Sequence, residues 1–173
     1  MKRNENIDTE AIRKRLKDFK VSGMAEMLES METDGSLNNQ SALSVLNSLT
    51  IQEDQIRKSR RAKRLSSKAE LYYPSANVAG ILREADRRMN MTLLDSLLGG
   101  NYINNSQPVW ILGSSGSGKT YISCVLGNQA CLLQYSVAYY TTSGFFKACE
   151  EADKQNMVHE FIDNLTDHMT HFT

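Results

Sequence analysis

The sequence predicts an α/β fold in two parts, a helical region over residues 1–72 and then, over residues 73–173, an incomplete P-loop domain built on a parallel sheet. Three observations carry that expectation. Residues 113–120 read Gly-Ser-Ser-Gly-Ser-Gly-Lys-Thr and satisfy G-x-x-x-x-G-K-[ST], the Walker A pattern. The apolar run Val109, Trp110, Ile111, Leu112 precedes it as a buried strand would, and residues 121–133 behind it read as a helix, the order the motif requires. Upstream, apolar residues recur at helical rather than strand spacing.

Taken in order, Asp8 caps a first helix whose Ile12, Leu16 and Phe19 share one face, and Met24, Met27, Leu28 and Met31 repeat the stripe after Ser22-Gly23. Such stripes are core. A loop through Asp34-Gly35-Ser36 and Asn38-Asn39 leads to Ser41, the cap of a long helix carrying Leu43, Leu46, Leu49 and Ile56. Residues 66–77, with Tyr72-Tyr73-Pro74, form a junction because Pro74 resists helix continuation. A further helical stretch with Leu93, Leu94, Leu97 and Leu98 closes at Gly99-Gly100. Beyond the Walker helix, the β-branched and aromatic residues of 136–141 predict a second strand, and a last helix starts near Ser143.

The loop chemistry explains its residue types. Gly113, Gly116 and Gly118 allow backbone conformations closed to other residues, so that successive N–H groups, those of Ser114, Ser115 and Ser117 among them, point inward as an anion-binding nest. The helix beginning near Lys119 adds its unpaired N-terminal donors. Lys119 would reach the β- and γ-phosphates of ATP, and the Thr120 hydroxyl would ligate Mg2+.

Formal net charge is zero, yet residues 1–70 carry 14 Lys/Arg against 11 Asp/Glu and residues 71–173 carry 6 against 9. The basic excess centres on Arg57, Lys58, Arg60, Arg61, Lys63 and Arg64, six cations in eight residues, a density that suits a polyanion such as double-stranded DNA. The bland reading is a solvated helix face. No aromatic residue interleaves with these cations, so stacking on single strands is not expected from them. No apolar run reaches membrane-spanning length and no signal core is present, which predicts a soluble, cytoplasmic protein that does not engage a membrane. Cys124, Cys131 and Cys149 lack metal-ligand or redox spacing and read as packed thiols, and His159, His168 and His171 complete no tetrahedral set.

The ordered run Tyr102-Ile103, Trp110-Ile111-Leu112-Gly113, residues 116–121, Leu126-Gly127-Asn128, Ala130-Cys131 and Tyr135-Ser136-Val137 resembles the IstB-like ATP-binding proteins, AAA+ helpers of insertion-sequence transposition related to the helicase loader DnaC. The likeness extends upstream through residues 16–25, 57–65 and 69–74. It implies an ATPase that self-assembles on DNA in the ATP state and works with a transposase. It also implies that residues 113–120 hold the nucleotide and residues 57–64 contact DNA or transposase. One departure stands out. The strand ending in a Walker B acid has no counterpart after residue 120, where Phe161-Ile162-Asp163 followed by Asn164 is the nearest approach. The resemblance therefore implies a shortened relative that binds ATP with impaired hydrolysis, and whether the chain is an enzyme stays open. The competing readings are a helical DNA- or transposase-binding module with a vestigial P-loop, and a small-molecule kinase, for which no acceptor pocket or catalytic acid is apparent.

Overall fold

Asp8 starts the first helix as its sequence predicts, its carboxylate accepting the Glu10 N–H at 3.0 Å at the head of α1 (Thr9–Asp18). In the computed structural model, residues 8–81 and 89–170 are described, with side chains through residue 165. They fall into two compact units, Met1–Arg60 and Arg61–Thr173.

In the first unit α1 lies against α2 (Ser22–Thr33), which buries Ala25, Leu28 and Met31, and Arg13 of α1 pairs with Glu29 at 3.2 Å. A 3-10 turn (Ser36–Asn39) leads to α3 (Ala42–Lys68), whose first turn is capped by Ser41. The apolar stripes are only partly core: Phe19 is 72% exposed and Leu43 79%. What fixes α2 instead is Glu53. No side chain caps α2 locally and its first turn holds no acid, so the buried Glu53 carboxylate of α3 accepts the Gly23 N–H at 2.8 Å. The helices approach so closely that a Cβ on Gly23 would meet Glu53 Cα at 2.9 Å. Arg57, 2.6 Å from the second carboxylate oxygen, holds Glu53 below the ordinary carboxylate range.

The second unit gathers the end of α3, a strap over residues 71–81 that includes a 3-10 turn (Val78–Gly80), α4 (Met91–Leu98), α5 (Asn101–Asn104), α6 (Lys119–Leu132), α7 (Thr142–Lys154) and α8 (Val158–Thr170). Ala69, just past the end of α3, and Leu71, Ala76 and Ile81 of the strap pack with Leu94, Cys124, Val125 and Cys131 in one core. All three cysteines are free thiols, Cys124 and Cys131 buried. Tyr140, Phe145 and Phe161 form a separate aromatic cluster linking α7 and α8.

The expected parallel sheet is not there, and the α/β assignment is corrected to an all-helical fold: among the described residues no strand occurs. A strand exists only where backbone groups pair with a neighbour about 4.8 Å away. Residues 109–112 and 136–141 are irregular and no backbone ladder joins them. Their alternate side chains turn instead towards α6, where Val109, Ile111, Val137 and Tyr139 line a cleft of about 270 Å3 with Leu126 and Gly127. Trp110 and Leu112, expected to be buried, are 83% and 88% exposed.

The Glu53 arrangement predicts the stability of the first unit. Glu53→Ala strands the Gly23 N–H and should cost about 1–3 kcal/mol in a denaturant melt of the full chain. Because the folded pKa is depressed, the wild-type contribution is present above the ordinary value of 4.5 and fades as pH falls through the lowered one, so the gap between wild type and variant should narrow in acid.

Candidate functional site

Residues 113–120 form a loop that ends in the first turn of α6. Gly116 and Gly118 adopt φ of +76° and +90°, where a side chain is strained although nothing lies within 4 Å of either site. Their glycine identity is thus demanded by conformation, not by space. Gly113 differs: a Cβ there would meet Ser117 Oγ at 2.9 Å. The Ser117 N–H donates to the Ser114 carbonyl at 3.3 Å and tightens the turn.

Gly118 is the N-cap of α6, with no side-chain cap and no acidic residue in the first turn, so the helix presents uncompensated donors and its positive end. Lys119 folds back across the loop, its Nζ donating to the carbonyls of Gly113 at 3.0 Å and Ser114 at 2.7 Å. Thr120 is exposed on the same turn, and Ser114 and Ser115 are exposed beside it. All eight loop positions therefore converge on one helix end that carries a single cation and no anion. An approaching anion would find backbone donors, hydroxyls and an ammonium group together.

The other expected residues are not gathered there. Asp163 sits on the helix α8, not at the end of a strand. His159 is exposed on α8, the His168 side chain and His171 lie outside the described residues, and no cluster of three metal-ligating residues occurs among those described. The basic segment divides. In the first unit Arg57 is bound to Glu53, Lys58 pairs with Asp54 at 2.7 Å, and Arg60 donates to Ser22 Oγ at 2.9 Å. In the second unit Arg61, Lys63 and Arg64 are exposed, and Arg61, Arg64 and Lys68 recur at i, i+3, i+7 along one side of α3, adjoining the buried Ala62 and half-buried Leu65.

Sequence reasoning missed the partners of α6. Tyr121 Oη donates to the Asn77 carbonyl at 3.3 Å, and Asn128 Nδ2 donates to the carbonyls of Pro74 at 3.0 Å and Ala76 at 2.9 Å. Gly80 packs so tightly on Tyr121 that any side chain would collide with the phenol. Tyr73 stands 5.9 Å from the Tyr121 ring and 4.8 Å from that of Tyr72. Burial, reinforced by Cys124, Tyr72 and Tyr73 nearby, pushes the Tyr139 hydroxyl above the ordinary phenol value. The signal available in sequence was Tyr72-Tyr73-Pro74, which spoke only of a junction.

The loop and helix define a protein of the kind that carries a Walker A sequence at a helix N-terminus. A match to the family described as IstB-like ATP binding protein spans residues 14–169, and the chain belongs to that family. It is 29% identical over 137 residues to the insertion sequence ATP-binding protein y4uH of Sinorhizobium fredii, covering 79% of this chain and 55% of that protein. It is 32% identical over 127 residues to the ATP-binding protein of insertion sequence IS1162 from Pseudomonas fluorescens, covering 73% of this chain and 55% of that protein. The chain thus spans about half the length of these relatives. No helix among the described residues is long and apolar enough to cross a membrane.

Proposed function

We propose that the chain binds ATP through residues 113–120 and serves the transposition of an insertion sequence, with double-stranded DNA and a transposase as its partners. The observation that carries the nucleotide reading is the convergence of Lys119 with the uncapped, acid-free start of α6. On binding, the two carbonyl bonds of Lys119 exchange for bonds to phosphate oxygens, and the loop N–H groups take up the remaining charge. Mg2+ fits as an ion held chiefly by the phosphates with the Thr120 hydroxyl as a protein ligand, since the loop offers no carboxylate cage. The transposition context is supported by the names of the relatives.

Turnover is a separate matter. The nearest sequence approach to a water-positioning acid, Asp163, is on a helix, so binding without appreciable hydrolysis is the reading for the 173-residue chain. Lys119→Ala should weaken Mg-ATP binding by about 1.5–3 kcal/mol in calorimetry, the worth of hydrogen bonds to a charged group. Phosphate release by the wild-type chain should equal that of the variant, and lysine-dependent hydrolysis would contradict this.

For DNA, Arg61, Lys63 and Arg64 supply the contact, since Arg57, Lys58 and Arg60 are engaged by Glu53, Asp54 and Ser22. Replacing all three by Ala should flatten the dependence of log affinity on log salt for duplex DNA by about 2–3. An unchanged slope would reduce the segment to a solvated face.

A further inference from the structure

A helix start is ordinarily fixed by the side chain of its N-cap and, in the capping box, by the residue at the third helical position reaching back to that cap. At α6 the N-cap is Gly118, which has no side chain to offer, and the first turn holds no acid. A cap would also occupy the donors on which phosphate binding depends. The third position is Tyr121, and it reaches outward instead: its Oη accepts the Asn77 N–H at 3.4 Å and donates to the Asn77 carbonyl at 3.3 Å. Gly80 closes on the same phenol so tightly that a Cβ there would collide with it. Asn77 and Gly80 are exposed, so water could serve the Asn77 backbone equally well and the hydroxyl adds little to stability. What two bonds to one backbone site fix is the direction of the turn.

We infer that Tyr121 is a positioning residue: anchored on Asn77 and Gly80, it sets the first turn of α6 and with it the hydroxyl of the adjacent Thr120 for the Mg2+ of a bound nucleotide. This rests on the nucleotide reading above. Lys119 is oriented by the loop itself, through the carbonyls of Gly113 and Ser114. Thr120 is exposed and takes its direction from the turn that carries it. Mg2+ demands near-ideal octahedral geometry, so a misdirected hydroxyl loses its place in the shell while the phosphate donors of the loop remain.

Calorimetric titration of the full chain with ATP, once in Mg2+ and once in EDTA, isolates the metal-dependent part of binding. Tyr121→Phe keeps the ring and removes only the hydroxyl; it should lower affinity about fivefold in Mg2+ and less than about twofold in EDTA. Added to Thr120→Val it should cause no further loss, because both changes remove the same Mg2+ contact. Gly80→Ala, which pushes the phenol aside, should reproduce the Mg2+-dependent loss. In the ligand-free Tyr121→Phe chain the Ile122 N–H, which makes the first intrahelical bond of α6 to the Gly118 carbonyl at 3.0 Å, should exchange severalfold faster. Wild-type affinity for Mg-ATP in either variant, an equal loss in EDTA, losses that add in the double variant, or unchanged exchange at Ile122 would each overturn the positioning role while the phosphate loop stands. A wild type that binds no ATP in either buffer overturns the nucleotide reading and the role of Tyr121 with it.

Discussion

Asn128 holds the second unit together at its functional end. One amide on α6 accepts the Ser66 hydroxyl at 2.6 Å and donates to the Pro74 and Ala76 carbonyls. The strap over residues 71–81 has no extended ladder of its own, so carbonyls brought against the core need such a partner. With the strap in place, Leu71 packs onto Gly127 so closely that a Cβ there would meet it at 2.9 Å, and Cys124 and Val125 become almost fully buried. A helix seated in this way gives the preceding loop a fixed end. The positions of Gly118, Lys119 and Thr120 follow from contacts made one to three turns further along the same helix.

Helix boundaries were readable because their signals are local. Asp8 and Ser41 cap where their sequence places them, and the Walker pattern gives the start of α6. The sheet was misread because an apolar run of four residues states a preference for burial, not the presence of a backbone partner. Val109 and Ile111 do face α6, half of what the strand reading expected, while Trp110 and Leu112 face water. The charge cluster shows the same gap between composition and pairing. Six cations were evident, but that a buried Glu53 claims Arg57, and that Arg60 reaches back to Ser22, depends on the approach of α2 to α3. The left-handed backbone at Gly116 and Gly118 has a local signal in the glycines themselves, whereas the contact of Tyr73 with Tyr121 spans some fifty residues of chain and has none.

The two units divide the chemistry. In the first, acid and base satisfy one another: Glu53 with Arg57 and the head of α2, Arg13 with Glu29, Lys58 with Asp54. In the second, Lys119 bonds the carbonyls of Gly113 and Ser114 and not a carboxylate, and it is proposed, with the α6 donors, to meet phosphate, as Arg61, Lys63 and Arg64 are proposed to meet DNA. The chain belongs to the IstB-like family and spans about half the length of the relatives it matches.

The dependence of the loop helix on the strap is open to direct measurement by amide hydrogen exchange on the ligand-free chain carrying Asn128→Ala. Loss of the clamp should speed exchange of the α6 amides and of residues 76–81 together, while α1 and α2 keep the protection they have in the wild type. Unchanged protection of α6 in the variant would contradict the claim that this side chain seats the helix from which the phosphate loop is built.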